Sequence, residues 1–173
     1  NVPADEQAFT LTLESEDDFA GLPGFVRDAA QAAARERGLD GKYVITLSRS
    51  SVEPFLRFSS RRDLREQLWR AFAARGDNGG KTDNKGLIAE MVALRQERAA
   101  LLGYDNHAAY RLDDAMAKTP GAARDMLDAV WGPARAHALH DRDDLRKIVQ
   151  AEGANFALAP WDWTYYAEKL RKA

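Results

Sequence analysis

Two histidines lie close enough on one predicted helix to reach the same ion. His137 and His140, in the segment HALH, are three residues apart, so their side chains project from one helix face. Catalytic zinc takes three protein ligands, and the remaining histidine, His107, is distant in the sequence. We therefore interpret the pair as surface or core-edge histidines and assign no metal ligand to this chain.

A glycine-rich loop, GDNGGKTDN, contains the order Gly-Lys-Thr that occurs in phosphate-binding loops. The full motif, G-x-x-x-x-G-K-S/T, follows a buried strand and needs a first glycine where this chain has Arg75. The segment before the loop is instead a charged helix pattern. We predict a plain connection between two helices and no cofactor-binding residue.

Hydroxyl and carboxyl groups are further candidates for catalysis. Ser48, Ser50 and Ser51 lack the G-x-S-x-G context of an activated serine, and they are better explained as caps of a short turn over residues 52–58. Asp113 and Asp114 are adjacent, so their side chains diverge on a helix and should face solvent. No catalytic residue is assigned.

Two further clusters have a structural and a binding interpretation each. The first is a basic run with interleaved acids, predicted as a solvated, salt-bridged face, or alternatively as a rim attracting peptide carboxylates. The second is aromatic, predicted to pin a terminal helix to a core or neighbouring domain, or alternatively to stack on a ligand. The basic run comprises Arg49, Arg57, Arg61, Arg62 and Arg65, and the aromatic cluster Trp161, Trp163, Tyr165 and Tyr166.

The elements around these groups are mainly helical. Residues 9–13 (FTLTL) and 43–47 (YVITL) have strand character and could pair. Between them a helix is predicted from Pro23 to a stop at Gly38. A second helix is predicted from a capping box at residues 60–63 to Gly76, with Leu64, Leu68, Ala71 and Phe72 on its buried face.

Three more helices are predicted in the second half of the chain. One is capped by Asp83, ends near Leu102, and should bury Leu87, Ile88, Met91, Val92 and Leu94. The longest runs from residues 119–120 to Gly153, with one apolar stripe from Leu127 to Val149, and Pro133 should kink or interrupt it. The last follows Pro160, with Asp162 as its cap. We expect a mainly α, multi-helix fold, with residues 1–173 forming a single helical region.

Composition limits the classes of partner. The chain has 25 Lys and Arg against 27 Asp and Glu, interspersed, which argues against nucleic acid and against an anionic membrane surface. It has no cysteine, as expected for a reducing cytoplasm, and no apolar run near the roughly 20 residues that span a bilayer. The start, NVPADEQAF, suggests that the sequence begins inside a longer one.

Five segments, in order, resemble the thimet oligopeptidase family of zinc metallopeptidases, and most closely its bacterial peptidyl-dipeptidase and oligopeptidase A branch. They are LSRSSVEPFLRFSSRRDLRE, GDNGGKTDN, LRQERAALLGY, LDDAMAKTP and PWDWTYYAEKLRK. The resemblance implies a helical region upstream of the catalytic part, walling a channel for short peptides. The zinc-binding H-E-x-x-H is absent from all 173 residues, so no catalytic residue of the family is transferred.

Two functions remain open at this point. The first is a fragment of a zinc-dependent oligopeptidase or peptidyl-dipeptidase, which contains zinc in the parent enzyme and none in this chain. Its partners would be the remaining catalytic part and short peptides, with self-association through exposed apolar surface in the isolated chain. The second is a free-standing, non-catalytic helical module that binds a protein or peptide.

Overall fold

The computed structural model describes residues 2–172, which form eight α-helices, one 3-10 helix and one two-stranded sheet. The mainly α fold with a single short strand pair is confirmed. In chain order the elements are α1 (Val2–Ala8), β1 (Leu11–Leu13), the 3-10 helix (Glu16–Phe19), α2 (Gly24–Glu36), β2 (Tyr43–Ile45), α3 (Arg49–Phe58), α4 (Arg62–Ala73), α5 (Lys85–Leu101), α6 (His107–Leu112), α7 (Pro120–Ala151) and α8 (Pro160–Lys172).

Strands β1 and β2 pair antiparallel, with Leu11 opposite Ile45 and Leu13 opposite Tyr43. The alternation of apolar and polar residues in β1 buries Leu11 and Leu13, while Thr12 is half-buried. Helix α2 connects the strands and packs on β2. Gly38, with a φ of +70°, follows the end of α2, so the predicted stop is confirmed.

The turn after the 3-10 helix passes very close to the end of α3. Gly21 has a φ of +82°, and a Cβ atom at this position would lie 2.3 Å from the Phe58 carbonyl oxygen. The Ser60 amide donates to the Ala20 carbonyl oxygen at 2.8 Å. Glycine is required here by backbone conformation and by space.

The approach of this turn also changes how α4 begins. The predicted capping box at Ser60 is wrong: α4 starts at Arg62, and Arg61 occupies the cap position without a side-chain cap bond. Arg61 instead pairs with Asp63 at 2.7 Å and with Asp18. The Ser60 amide is bonded to the Ala20 carbonyl oxygen, and the first helical residue lies two positions later.

Helix α7 is continuous on both sides of Pro133. The predicted interruption is therefore wrong, and the alternative, a kink at Pro133, stays a prediction. A proline leaves the carbonyl four residues earlier without its helical partner, here that of Ala129. Both residues are exposed, so water can solvate this carbonyl and the helix continues. The predicted stop is confirmed, since Gly153 has a φ of +74° just beyond the last helical residue.

The chain divides into two compact units. Unit 1 comprises residues 2–83 and 144–172, and unit 2 comprises residues 84–143. The main core of unit 1 includes β1, β2 and the inner faces of α2, α3 and α4, with Val52, Phe55 and Leu68 almost fully enclosed. A smaller core joins Leu145 and Val149 to Tyr166 of α8.

Unit 2 has almost no interior. Of residues 84–143, all of which the structure describes, Ala99 is the one buried residue. The predicted buried side of α5 is therefore wrong, because its five apolar residues are between 47% and 58% exposed. Their spacing indicates a face that needs cover, and the other residues of unit 2 do not cover it.

Candidate functional site

A buried ion cluster joins the start of α4 to the start of α8. The Asp162 carboxylate accepts from Arg65 Nη2 at 2.9 Å and from Arg62 Nη2 at 2.8 Å and Nε at 3.0 Å. The Asp162 and Arg65 side chains are 0% and 1% exposed, whereas Arg62 is 36% exposed. The predicted solvated face is wrong for Arg65, which is enclosed, while Arg62 is partly exposed and salt-bridged. The alternative, a rim that attracts peptide carboxylates, stays a prediction.

Backbone groups complete the coordination of this cluster. Arg65 donates from Nη1 to the Ser59 carbonyl at 2.8 Å and from Nε to the Trp161 carbonyl at 3.1 Å. Asp162 also accepts from the Ala159 amide at 3.0 Å. Asp162 is thus the third residue of α8 and caps it by reaching back, rather than preceding the helix as predicted.

Aromatic rings surround the arginines. The guanidinium carbon of Arg62 lies 4.3 Å from the Phe156 ring centroid, and that of Arg65 lies 4.1 Å from the Tyr165 centroid. Trp161 packs on Trp69 with 5.8 Å between ring centroids. The packing interpretation of the terminal aromatic cluster is confirmed for Trp161, Tyr165 and Tyr166, while Trp163 is 38% exposed.

The glycine-rich loop over residues 76–82 surrounds a carboxylate of the chain itself. Asp5 of α1 accepts from the Gly76 amide at 2.6 Å, from Asn78 Nδ2 at 3.0 Å and from the Thr82 hydroxyl. These bonds, first that of Thr82 and then that of Gly76, hold the pKa of Asp5 below its usual range. The loop connects α4 to α5 as predicted, and its donors bind an internal anion.

The three candidate serines organise the junction between β2 and α3. Ser51 Oγ accepts from the Thr46 amide at 3.0 Å, and Ser48 Oγ lies 3.0 Å from the Thr46 hydroxyl. The predicted turn over residues 52–58 is longer, since α3 begins at Arg49. Ser48 occupies the cap position without a side-chain cap bond, and the other two serines lie inside the helix, so the predicted capping is wrong. These contacts give the hydroxyls a role in fixing the start of α3.

The candidate metal and carboxylate residues are on the surface. His137 and His140 are exposed, and His137 Nε2 lies 3.6 Å from Asp141 Oδ1. Asp113 and Asp114 are exposed as predicted, and Asp113 accepts from the Tyr104 hydroxyl at 2.9 Å. Within residues 2–172, no group of three His, Cys, Asp or Glu side chains could hold a metal ion, so these residues do not fit a zinc site.

Unit 2 carries a large uncovered apolar surface. On α7, four large apolar residues at helical spacing are 62–66% exposed: Met126, Leu127, Val130 and Trp131. Helix α5 adds Leu87, Ile88, Met91, Val92 and Leu94, and the turn that follows adds Leu102. Exposed apolar residues grouped in this way on a helix often mark a surface that contacts other protein. We call these residues the unit 2 apolar surface. They are the candidate region of unit 2 for contact with other protein.

Sequence reasoning missed two functional partners, Asp162 and Asp5. The sequence indicates Asp162 only as a helix cap and gives no indication of a partner for Asp5. Their side chains bind distant groups, with a separation of 97 residues between Asp162 and Arg65 and of 71 residues between Asp5 and Gly76. The one signal available is the pair of aromatic residues flanking Asp162, which marks a position enclosed in packing.

The described residues thus form a helical protein segment with a buried structural ion cluster and uncovered apolar residues. Residues 55–173 match the sequence description of Peptidase family M3. The chain belongs to this family. The resemblance to the thimet oligopeptidase family, bacterial branch, is confirmed.

Relatives with known names extend over nearly the whole chain. Dipeptidyl carboxypeptidase of Salmonella typhimurium is 32% identical over 169 residues, covering 98% of this chain and 25% of the relative. Oligopeptidase A of Escherichia coli is 35% identical over 176 residues, covering 99% of this chain and 26% of the relative. Probable cytosolic oligopeptidase A of Arabidopsis thaliana is 32% identical over 185 residues, covering 100% and 26%. The chain spans about a quarter of the length of these relatives.

No helix within residues 2–172 combines the length and apolar character needed to cross a membrane.

Proposed function

We propose that this chain is part of a zinc-dependent oligopeptidase or peptidyl-dipeptidase that hydrolyses short peptides in the cytoplasm. In this proposal residues 1–173 form one helical part of a larger peptidase domain and wall its substrate channel. Family membership supports the hydrolase class, and the relatives named dipeptidyl carboxypeptidase and oligopeptidase A support peptides as substrates.

The unit 2 apolar surface is the observation that carries the proposal. Burying a Leu, Ile, Val or Met side chain stabilises a protein by about 1.5–3 kcal/mol. Each of the nine residues on α5 and α7 retains about half or more of its exposure, which leaves about 1 kcal/mol per residue to be gained. A chain with this much uncovered apolar surface is expected to pack against more protein.

The catalytic chemistry is assigned to polypeptide outside this chain. A bound zinc ion would supply an activated water, and its ligands would come from an H-E-x-x-H motif that these 173 residues lack. Within this chain the Arg62, Arg65 and Asp162 cluster serves the proposed function by fixing α8 against α4. We assign it a positioning role in the channel wall and no contact with the reacting atoms.

Metal analysis and a peptide-cleavage assay test the proposal. The chain alone, after dialysis, should contain no stoichiometric zinc and should not cleave a quenched fluorescent peptide, because it lacks the ligand set and the general base. The polypeptide encoded by the extended reading frame should contain zinc and show chelator-sensitive cleavage. One zinc per chain with turnover by residues 1–173 alone would refute the assignment of catalysis.

The reading frame itself separates the two functional classes. An H-E-x-x-H motif downstream of Ala173 in the same frame is the expected result. A stop codon directly after Ala173 would contradict the proposal and favour a free-standing interaction module.

A further inference from the structure

Asn78 and Gly79 form the one Asn-Gly pair in the sequence, and both residues are exposed. An asparagine can lose its side-chain amide when the next backbone nitrogen attacks its Cγ atom. Glycine favours this attack because it has no side chain to hinder the approach. Gly79 has a φ of +69°, and the space around its Cα is open.

Two hydrogen bonds at this pair polarise the groups that would react. The Gly79 amide donates to Asp83 Oδ2 at 2.8 Å, so a carboxylate is in place to take the proton of the attacking nitrogen. The Gly80 amide donates to Asn78 Oδ1 at 2.9 Å, at the oxygen where negative charge develops during attack. The base and the oxyanion donor therefore act on the same Asn-Gly pair.

We propose that Asn78 is a deamidation site whose conversion releases α1 from the glycine-rich loop. Asp83 takes the Gly79 amide proton, and the nitrogen forms a bond to Asn78 Cγ. The Cγ–Nδ2 bond then breaks, and Nδ2 leaves as ammonia with the transferred proton. Water opens the resulting succinimide to aspartate or isoaspartate, and no oxidant or reductant is needed.

The consequence follows from the position of Asp5. In the present state Asn78 Nδ2 donates to Asp5 Oδ1 at 3.0 Å. After deamidation residue 78 carries a carboxylate, so a hydrogen bond is replaced by repulsion between two like charges at close range. The Gly76 and Thr82 bonds to Asp5 are thereby weakened, and α1 loses this attachment to the loop.

Peptide mapping by mass spectrometry tests the chemistry on the full chain during incubation at neutral pH. Asn78 should convert several-fold faster than Asn106, which is also exposed but precedes His107, whose side chain hinders attack by the next backbone nitrogen. The variant Asp83→Asn keeps an acceptor but cannot take the proton, so it should slow conversion several-fold. Equal rates at Asn78 and Asn106, or no effect of Asp83→Asn, would overturn the proposal.

Hydrogen exchange of the Gly76 amide tests the release. The variant Asn78→Asp should increase exchange at Gly76 several-fold over Asn78→Ser, which removes the amide donor without adding charge. Equal exchange in the two variants would show that charge repulsion does not open the attachment, and the release of α1 would be refuted.

Discussion

Replacing Asp162 with asparagine removes one charge from the buried ion cluster and changes little else in size. Arg65, which is 1% exposed, then loses its counter-ion and has no access to water. Arg62 is 36% exposed and keeps part of its solvation. Removing one partner of a buried ion pair costs about 3–5 kcal/mol, and we expect Asp162→Asn to lower the free energy of unfolding by this amount.

A matched surface variant separates charge burial from charge loss. Arg49 and Glu53 form an ion pair at 3.4 Å, with side chains 81% and 60% exposed. Glu53→Gln should therefore cost at most about 1 kcal/mol. Urea unfolding followed by circular dichroism and tryptophan fluorescence measures both variants. A loss of about 4 kcal/mol corresponds to a decrease of roughly 10 °C in Tm for a chain of this size.

A second replacement distinguishes an unpaired charge from a lost contact. Arg65→Met in the Asp162→Asn background removes the buried cation, so the double variant should be more stable than Asp162→Asn alone. The ion cluster does not act as described if Asp162→Asn lowers the free energy of unfolding as little as Glu53→Gln does. The same holds if the double variant loses as much free energy of unfolding as Asp162→Asn and Arg65→Met lose together.

Three further predictions concern separate parts of the chain. Gly21→Ala should lower the free energy of unfolding more than Gly38→Ala. Both positions have a positive φ, which costs a side chain about 1–2 kcal/mol, but a Cβ atom at Gly21 would also lie 2.3 Å from a backbone carbonyl oxygen. Equal losses in urea unfolding would contradict this. The hydrogen bond from Arg171 lowers the pKa of Glu168 to about 2. Because the pKa in the unfolded chain is about 4.3, the ionised Glu168 stabilises the fold above that pH, and this stabilisation is lost as the pH falls towards 2. In a plot of the free energy of unfolding against pH, Glu168→Gln should therefore reduce the slope between about pH 4 and pH 2. The isolated chain should self-associate through the unit 2 apolar surface, and Trp131→Ser should reduce its concentration-dependent light scattering without lowering its Tm. If the unsubstituted chain scatters light as a monomer at all concentrations, this prediction is refuted.

Local signals in the sequence predicted the strand pair and the ends of two helices, but not α1 or α6. The strand pair was predictable because residues 11–13 alternate between apolar and polar side chains, and their partner strand is rich in β-branched residues. The ends of α2 and α7 were predictable because Gly38 and Gly153 occupy the left-handed conformation that terminates a helix. Each of these features depends on neighbours within a few residues.

The partners of charged and apolar groups were not predictable in the same way. Arg65 has Asp63 and Glu66 beside it, so local charge pairing predicted a solvated face, yet its partner lies 97 residues away. On α5 the spacing of apolar residues from Leu87 to Leu94 predicts a face that needs cover. Spacing does not specify which polypeptide supplies that cover, so the burial predicted for α5 failed within this chain.

The 100-residue separation between Arg62 and Asp162 also has a consequence for synthesis on the ribosome. At about 5–20 residues per second, α4 exists for roughly 5–20 s before α8 is made. During this time the face that later receives α8 presents arginines to water. A leucine at position 65 would instead expose an apolar side chain on the nascent chain. The arginine therefore keeps this face of α4 hydrated until Asp162 is translated.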